Sequence, residues 1–500
     1  MRYDRRCAAA LLLSIVAGLG STASAADPEP SGAVVRSHSI QVAGKALKYE
    51  SEAGRIAIAD VETGVAHGYM YYTAYRVPTT GAARRPMTFV WNGGPGADSS
   101  LLHFSAAGPR RADADRLLDN EDTWLTETDL VFVDPIGTGF SRPTKPEYGD
   151  EFYSTRGDVA SVAEFVRAWR LLHDAEDAPR FLVGESWGAR RAASVAYALQ
   201  VRHVTVDGIV LISGGWGLNQ EYVDAPMRAA LTAVDMATTA LYHGKSATGA
   251  GKTVAELRNT VGRWAREVYA PAVSRASSLS DPERQAIVRQ LSDYIGVPAT
   301  AIDPQKLTVS PREFRHSLLS DQGKEPYIFD MRRTSAPVDE NSAAILHYLH
   351  HDLGYRTSLP YIGLEESAQG YAPGGTYSPP VNDRWDYATE KLSAEQVQAA
   401  IAAASARGDG PPQLGAPLPA TAEALAQNPR MRVLVAAGLY DSFVPCAVGE
   451  ETERRLPASM VSSVRFRCYV GGHAMYLDPP ARRELAQDIR RFVGGDWPAH

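Results

Sequence analysis

The sequence contains little cysteine and no long run of basic residues. Its 500 residues include 3 cysteines, and its formal net charge at pH 7 is -7. A chain without a basic patch offers little attraction to nucleic acid or to an anionic membrane surface, so neither is expected as its main partner. A hydrophobic fraction of 44% and a charged fraction of 22% are ordinary for a soluble globular enzyme.

The apolar stretch near the start of the chain is too short to cross a membrane, which takes about 20 apolar residues. It is typical of an export signal instead. A basic beginning, residues 1–6, precedes the small and apolar residues 7–20, and Ala23-Ser24-Ala25 offers an A-x-A cleavage site. We therefore expect a signal peptide over residues 1–25, export to the periplasm or the medium, and no membrane contact after cleavage. An uncleaved anchor or a disordered tail is the alternative.

Export changes how the cysteines are interpreted. Cys7 would leave with the signal, and Cys446 and Cys468 would remain as an even pair in an oxidising compartment. The sequence leaves two interpretations open, a disulfide or two buried free thiols, because it does not give the distance between the two residues.

Short apolar runs without alternation recur along the chain, with helical patterns between them. Such runs are typical of strands buried on both faces, and strands alternating with helices predict a mainly parallel central sheet with helices on both faces. Helical spacing marks residues 159–172, 190–200 and 482–492. The predicted strands cover residues 65–75, 87–91, 130–134, 181–183, 209–212, 431–437 and 464–470.

This α/β pattern breaks near Trp216 and returns at about residue 429. The chain between them is helical or irregular, and its Gly/Pro-rich stretches at residues 354–380 and 408–419 are typical of loops or linkers. A large insertion into one α/β domain explains the break and the return, and we find no internal repeat. The predicted division is a signal peptide over residues 1–25, a core over residues 26–215 and 429–500, and an inserted cap over residues 216–428.

The strongest local motif is Gly184-Glu185-Ser186-Trp187-Gly188, placed between a predicted strand and a predicted helix. It fits the G-x-S-x-G nucleophile elbow of the α/β-hydrolase fold, where glycines flank a turn too tight for side chains. The helix that follows turns its amino-terminal end toward the serine, which favours developing negative charge. We predict that Ser186 is a nucleophile, and the alternative is a tight glycine turn without chemistry.

A nucleophilic serine needs a base, and the base needs a carboxylate to hold its tautomer. In the α/β-hydrolase fold the chain order is serine, aspartate, histidine. Asp441 follows the predicted strand at 431–437, and His473 follows the predicted strand at 464–470. Both residues therefore fall just beyond strand ends at the sheet edge that carries Ser186, and we predict that the three form a catalytic triad.

Acyl transfer also needs backbone amides aimed at the position where a carbonyl oxygen becomes negative. Trp187, the residue after the nucleophile, supplies one such amide in this fold. The loop Asn92-Gly93-Gly94-Pro95-Gly96 follows an early predicted strand, and its glycines allow close approach of the backbone. This loop is the candidate for the second amide, and a simple Gly/Pro turn is the alternative.

Three histidines, His347, His350 and His351, lie at helical spacing. They would permit a metal site, because positions i, i+3 and i+4 share a helix face. The segment has no H-E-x-x-H motif, and Asp352 is the one carboxylate close to the histidines. We therefore favour a solvated or packed helix face and predict no metal and no cofactor.

Taken together, these motifs resemble the landmarks of the serine carboxypeptidase family, and its bacterial branch in particular. The resemblance covers about residues 87–215 and 430–480, whereas the insertion shows no clear match. It implies a peptide substrate and release of C-terminal amino acids through an acyl-enzyme. The matching motifs lie at residues 91–96, 134–141, 184–188, 440–441 and 472–473.

The resemblance also assigns roles to individual residues. An amide such as that of Asn92 can donate a hydrogen bond to a carboxylate, but Glu185 can donate only when protonated. That role needs a raised pKa for Glu185 and favours acidic conditions, and the alternative is a glutamate that only braces the elbow. The implied site has a triad of Ser186, Asp441 and His473, oxyanion amides from Gly94 and Trp187, and a grip on the substrate α-carboxylate by Asn92 and Glu185.

One position departs from the family pattern. Well-known members carry a second glutamate before a Gly-Pro pair, and Ala106 stands at that place here. A proline-iminopeptidase-like aminopeptidase or an esterase, which use a Gly-Gly-Pro-Gly loop on the same fold, therefore stays open. An inactive hydrolase that serves as a binding protein is a third interpretation, and the intact triad order argues against it. Asn92 and Glu185 favour the carboxypeptidase, and nothing in the sequence indicates an oligomeric state.

Overall fold

The computed structural model describes residues 32–79, 84–337, 341–365, 380–388 and 420–496, together with residues 370–371, 377–378, 395, 398–399 and 402. Two predicted features, the signal peptide over residues 1–25 and the linker at residues 408–419, lie outside the described residues. The linker predicted at residues 354–380 lies only partly within them.

Fourteen strands are present in the described part of the chain, and ten of them form one central sheet. The strands are β1 (Val34–Val42), β2 (Lys45–Ala59), β3 (Ala66–Arg76), β4 (Met87–Trp91), β5 (Arg110–Asp113), β6 (Arg116–Asp119), β7 (Asp129–Val133), β8 (Arg142–Pro143), β9 (Arg180–Glu185), β10 (Gly208–Ile212), β11 (Gly370–Tyr371), β12 (Tyr377–Ser378), β13 (Arg432–Gly438) and β14 (Val464–Tyr469).

The central sheet has the order β1-β2-β3-β7-β4-β9-β10-β13-β14, with β8 paired beside β3. The strands from β7 to β14 in this order are all parallel. At the other edge, β1, β2 and β3 pair in antiparallel fashion, and β3 joins β7 the same way. This is the mainly parallel sheet that the apolar runs predicted, and each predicted run overlaps one of its strands, with differences of a residue or two at the ends.

Helices connect these strands and cover the sheet. Among the described residues no helix is long and apolar enough to cross a membrane. The helices are α1 (Ser100–Leu102), α2 (Gly149–Phe152), α3 (Thr155–Leu172), α4 (Trp187–Gln200), α5 (Leu218–Tyr222), α6 (Ala225–Tyr242), α7 (Val254–Trp264), α8 (Ala270–Ser274), α9 (Asp281–Ile295), α10 (Pro311–Leu318), α11 (Ser342–His347), α12 (Thr421–Gln427), α13 (Cys446–Arg455) and α14 (Pro479–Gly494).

Short turns of other helix types accompany them. The 3-10 turns are Trp124–Thr126, Pro146–Tyr148, Ala276–Ser278, Ala299–Ala301, Ser320–Gln322, Val381–Arg384 and Met475–Leu477, and the π-helical turns are His103–Ala107, Ala265–Tyr269 and Tyr348–Asp352.

Both faces of the sheet are buried, as the non-alternating strands require. Along β7, Val131 and Val133 belong to one hydrophobic core, whereas Leu130 and Phe132 belong to a second core on the other face. Side chains of α3 and α4 complete the first core, and side chains of α14 complete the second. The parallel strands are thus fixed from both sides, and the loops at their carboxyl ends share one edge.

Local sequence signals explain where the covering helices begin. The Ser154 hydroxyl accepts the N–H of Gly157 at 3.0 Å and caps α3. Pro479 opens α14, where a missing N–H has no consequence. The α4 helix starts at Trp187, earlier than the helical pattern from residue 190 predicted, because the elbow leads directly into it. That early start brings the amino-terminal end of α4 to the predicted nucleophile.

The insertion between β10 and β13 has a hydrophobic core of its own. Its buried side chains come from the chain between Val223 and Met331, joined by Ala447 and Val448 of α13. The insertion therefore packs against the helix that follows the predicted acid, Asp441. The exact division into core and cap stays a prediction.

Cys446 and Cys468 are joined by a disulfide, which decides between the two interpretations that the sequence left open. Their Cα atoms lie 5.8 Å apart, within the usual range for a disulfide. Cys446 is the first residue of α13, and Cys468 lies in β14. The bond therefore ties a helix to the last strand of the sheet.

Candidate active site

Ser186 lies at the sharp turn between β9 and α4. Its backbone has φ 57° and ψ -122°, a left-handed conformation that costs a non-glycine residue about 1–3 kcal/mol. The Ser186 N–H donates to the carbonyl oxygen of Ile212 on β10 at 2.8 Å, which holds the turn in place. A β-carbon added to Gly184 would lie 1.8 Å from the Gly188 carbonyl oxygen, so the flanking glycine is required. The sequence motif thus forms the elbow that it predicts.

His473 and Asp441 form a buried hydrogen-bonded pair. Nδ1 of His473 lies 2.7 Å from Oδ2 of Asp441, whose side chain is fully buried. This bond places the ring hydrogen on Nδ1 and leaves Nε2 free to accept a proton. Nε2 is buried and has no hydrogen-bond partner among the described residues, and His473 and Ser186 line the same cavity. The imidazole is therefore positioned to act on whatever binds beside the serine.

Opposing effects act on the pKa of His473. Burial lowers it, whereas the charge and hydrogen bond of Asp441 and the charge of Glu185 raise it, and the net pKa is above the usual value. A raised pKa stabilises the imidazolium, which is the form that His473 would take in the predicted role of a base after it accepted a proton from Ser186. The same shift means that the imidazole is neutral only at a higher pH.

The loop after β4 packs against the elbow. A β-carbon on Gly93 would lie 2.5 Å from the backbone nitrogen of Trp187, and Gly94 has φ 100°. Both positions therefore require glycine. Trp187 opens α4, so its N–H has no acceptor inside the helix. The two stretches predicted to supply oxyanion amides thus lie side by side next to Ser186.

Asn92 and Glu185 form a buried pair that lines the same cavity as Ser186. The side-chain amide of Asn92 donates to the Glu185 carboxyl group. Oδ1 of Asn92 accepts the backbone N–H of Leu102 at 3.0 Å. This second bond fixes the orientation of the amide, so that its nitrogen points toward Glu185 and keeps one hydrogen for a further acceptor.

The pKa of Glu185 is raised, mainly by burial, although His473, Tyr476 and Asn92 act in the opposite direction. A glutamate with a raised pKa keeps its proton to higher pH and can then donate a hydrogen bond. Ala106, the position of the family's second glutamate, is buried in the core behind the sheet. Burial, with a smaller contribution from the charge of Asp441, therefore raises the pKa of Glu185 without a carboxyl group at position 106.

Behind the loop that follows β4 lies a pair of carboxyl groups, Asp98 and Asp134, whose pairing the sequence did not reveal. Oδ1 of Asp134 accepts the N–H and the hydroxyl of Ser99 at 2.8 and 2.7 Å. Burial, followed by the charge of Asp98, raises the pKa of Asp134 to about 7. Asp98 itself lines the cavity. Asp134 belongs to the motif at residues 134–141, but nothing in the spacing pairs it with Asp98.

A short segment of the insertion, residues 328–331, lies across the loops that carry Asp441 and His473. We call it the strap. No sequence signal indicated it, because the insertion matched no known motif. Its hydrogen bonds run from the His473 N–H to the Phe329 carbonyl oxygen (2.6 Å), from the Ser442 hydroxyl to the Ile328 carbonyl oxygen (2.6 Å), and from the Met331 N–H to the Tyr440 carbonyl oxygen (2.9 Å).

The cavity in front of Ser186 has a volume of about 620 Å³ and an aromatic wall beside His473. The rings of Phe329 and Phe443 lie 5.2 and 5.6 Å from the imidazole and 5.4 Å from each other. Their side chains are 42% and 52% exposed. Exposed aromatic side chains grouped in a concave site mark a binding surface for apolar groups.

The three histidines at residues 347, 350 and 351 do not line this cavity. The rings of His347 and His351 stack with their centroids 4.4 Å apart, and Nδ1 of His350 lies 2.9 Å from the Tyr355 carbonyl oxygen. Within the described ranges, no group of three or more His, Cys, Asp or Glu side chains is placed to hold a metal ion. His347 and His351 are exposed and His350 is half-buried, so these contacts fit a solvated helix face.

A comparison with known protein families matches residues 45–208 to the serine carboxypeptidase family. The matched segment makes up about a third of the chain. It carries Asn92, Gly94 and the whole elbow, whereas Asp441 and His473 lie beyond it.

Curated relatives agree with this family. The pheromone-processing carboxypeptidase kex1 of Aspergillus niger is 33% identical over 155 residues, which cover 28% of this chain and 25% of that protein. The pheromone-processing carboxypeptidase KEX1 of Saccharomyces cerevisiae is 34% identical over 165 residues, which cover 30% of this chain and 22% of that protein. The matches thus span about a quarter of the length of these relatives.

Solved structures show weaker similarity. Esterase E22 aligns with a TM-score of 0.37 and 11% identity over 89% of this chain and 100% of that chain. Homoserine O-acetyltransferase from Staphylococcus aureus aligns with a TM-score of 0.33 and 11% identity over 89% and 95% of the two chains. Similarity this low carries no argument about function, and the fold assignment rests on the sheet itself.

Proposed function

We propose that this protein is an exported serine carboxypeptidase that releases C-terminal amino acids from peptides through an acyl-enzyme. The observation that carries the proposal is the buried Asn92–Glu185 pair in the cavity of Ser186. A hydrolase that cleaves the last peptide bond must bind a free carboxylate a few ångströms from its nucleophile. An esterase or an aminopeptidase does not bind a free C-terminal carboxylate and has no need of an amide and a carboxyl group beside its nucleophile.

The reaction begins at the last peptide bond of the substrate. Ser186 attacks the carbonyl carbon while Nε2 of His473 takes the hydroxyl proton. The Asp441 carboxylate, 2.7 Å from Nδ1, stabilises the imidazolium that forms. The backbone amides of Gly94 and Trp187 bind the oxyanion. His473 then gives its proton to the leaving amine, and the free amino acid departs.

The acyl-enzyme is hydrolysed by the same groups in reverse roles. A water molecule takes the place of the departed amine and loses a proton to Nε2 of His473 as it attacks the acyl carbon. The second tetrahedral intermediate collapses, His473 returns the proton to Ser186, and the shortened peptide leaves with a new carboxylate. Both half-reactions use one oxyanion hole, so loss of either amide slows acylation and deacylation together.

Substrate binding depends on protons at two positions. The second amide hydrogen of Asn92 and the acid proton of Glu185 donate to the α-carboxylate of the peptide. Raising the pH removes the Glu185 proton and weakens binding, whereas lowering the pH protonates His473 and removes the base. Activity therefore requires a neutral His473 together with a protonated Glu185, and these opposite requirements predict a bell-shaped pH profile.

The aromatic wall extends the proposal to the released residue. Phe329 and Phe443 flank His473, which protonates the leaving amine, so they lie on the side of the amino acid that departs. Their exposed rings favour a large apolar side chain at the C-terminal end of the substrate.

Three further parts of the proposal rest on the sequence alone. They are export with cleavage of residues 1–25, membership of the bacterial branch, and the division into a core over residues 26–215 and 429–500 and a cap over residues 216–428.

Four substrates test the proposal against its rivals. They are an N-blocked dipeptide with a free C-terminal carboxylate, the same dipeptide as its C-terminal amide, a free-amine prolyl substrate and a simple ester. We expect release from the blocked acid and little from its amide. Turnover of the prolyl substrate or the ester alone would remove the carboxypeptidase proposal. Ser186→Ala serves as the control and should lower kcat by about 10³-fold or more.

A further inference from the structure

The disulfide lies between the loops that carry Asp441 and His473. Cys446 follows Asp441 by five residues, and Cys468 precedes His473 by five residues. The bond therefore joins the end of one loop to the beginning of the other. Together with the 2.7 Å contact between the two side chains, it closes a ring of two six-residue segments.

The loop that carries Asp441, which we call the acid loop, is held at both of its ends. It leaves β13 at Gly438 and ends at Cys446, where α13 begins. Cys468 of β14 pairs with Ala437 of β13, and Sγ of Cys446 lies 3.6 Å from the Ala437 carbonyl oxygen. The acid loop thus leaves the sheet after Gly438 and returns beside Ala437. There the disulfide joins the end of the loop to the neighbouring strand, β14.

The loop that carries His473, which we call the base loop, follows β14, the edge strand of the sheet. This loop therefore needs the support of the disulfide. Among the described strands the one ladder partner of β14 is β13, and Val470, which follows β14, is 59% exposed. The α13 helix lies close against β14, since a β-carbon on Gly449 would come within 2.7 Å of the Phe466 ring. A disulfide at the first residue of α13 fastens this contact on the side of His473.

We propose that the Cys446–Cys468 disulfide is a positioning element of the active site, which keeps Asp441 within hydrogen-bonding distance of His473. This inference rests on the proposed function, in which these two residues serve Ser186. Without the bond, the end of the acid loop at Cys446 loses its covalent link to β14, and the hydrogen bonds of Tyr440 and Ser442 to the strap are left to hold the loop. A displacement of about 1 Å in a catalytic site can lower a rate by about 100-fold. The proposed effect of the disulfide is therefore on the chemical step, through the distance between Asp441 and His473.

The double variant Cys446→Ser/Cys468→Ser tests this role by steady-state kinetics. For an alanine-ended peptide, whose small side chain makes little contact with Phe443, we expect kcat to fall by about tenfold or more while KM stays within about twofold, because the Asp441–His473 geometry is disturbed. Either single variant should give the same loss as the double variant, since one missing sulfur breaks the bond. Val464→Ala is the matched control, because it removes buried volume at the far end of β14 and should leave kcat unchanged.

A second measurement does not depend on turnover. Titration of the His473 imidazole by NMR should give a lower pKa in the double variant, because Asp441 raises that pKa in the intact protein. If the intact protein cleaves no peptide, the proposed function fails while this titration still tests the inference. If the variant does not fold, the same titration follows reduction of the folded protein by dithiothreitol. A lower melting temperature with unchanged kcat and unchanged His473 titration would overturn the inference.

Discussion

The sharpest prediction concerns Glu185→Gln, because the substitution keeps the shape of the side chain and removes its titration. The introduced glutamine can accept from the Asn92 amide through its oxygen and donate to the substrate carboxylate through its nitrogen. Unlike a glutamate, it keeps this donor at every pH. We therefore expect the variant to bind the free carboxylate on both sides of the Glu185 pKa.

The magnitude follows from one hydrogen bond to a charged group, which is worth about 1.5–3 kcal/mol. That range corresponds to about a 10- to 150-fold difference in kcat/KM between a peptide acid and its amide. In the unaltered protein this ratio should fall about tenfold for each pH unit above the Glu185 pKa, because one proton is lost. In Glu185→Gln the ratio should be flat.

The assay measures kcat/KM for an N-blocked dipeptide and its amide between about pH 4 and pH 9. Thermal unfolding of both proteins is the control. Because burial raises the folded pKa of Glu185, its ionisation at neutral pH opposes folding, so the variant should be at least as stable there. The reasoning is refuted if the acid-to-amide ratio shows the same alkaline decline in both proteins.

Three more changes test the rest of the site. Asp441→Asn should lower kcat by about 10⁴-fold. The acid limb of the kcat/KM profile should also move to lower pH, because the group that raises the His473 pKa is gone. An acid limb at the same pH in both proteins would contradict the Asp441–His473 pairing. Phe443→Ala should lower kcat/KM about tenfold for peptides that end in phenylalanine relative to peptides that end in alanine, an effect of about 1.4 kcal/mol. An equal loss for both peptides would show that Phe443 does not select the C-terminal side chain. Burial, followed by the charge of Asp98, raises the pKa of Asp134 to about 7, so Asp98→Asn should lessen the loss of thermal stability between about pH 4 and pH 7. Melting curves with an unchanged pH dependence would exclude that coupling.

The sequence predicted those parts of the site that depend on strand ends. Parallel strands present their carboxyl ends at one edge, so residues that follow apolar runs come together whatever their separation along the chain. Ser186, Asp441 and His473 each follow such a run, and the structure brings the three stretches to one edge. Ser213 follows β10 by the same rule and donates its hydroxyl to the His473 carbonyl oxygen. The same reasoning could therefore have found it.

The remaining parts depend on contacts that no periodicity encodes. Phe329 reaches His473 from an insertion whose helices carry patterns for their own core, so nothing in the sequence ties it to the triad. Predicting the disulfide would have required the distance between the edge strand β14 and the start of α13, which the sequence does not give. The Asp98–Asp134 pair depends on how the loop after β4 folds back over the end of β7. Loop paths of this kind are set by three-dimensional packing.

The strap has a consequence for how the protein could be rebuilt. The carbonyl oxygen that receives the His473 N–H belongs to the insertion and not to the sheet. A truncated core could therefore assemble its nucleophile and still leave the imidazole without one of its anchors. Exchanging the insertion for that of a relative would therefore affect the His473 loop as well as the cavity wall. The new insertion would have to place its backbone where residues 328–331 lie in this protein.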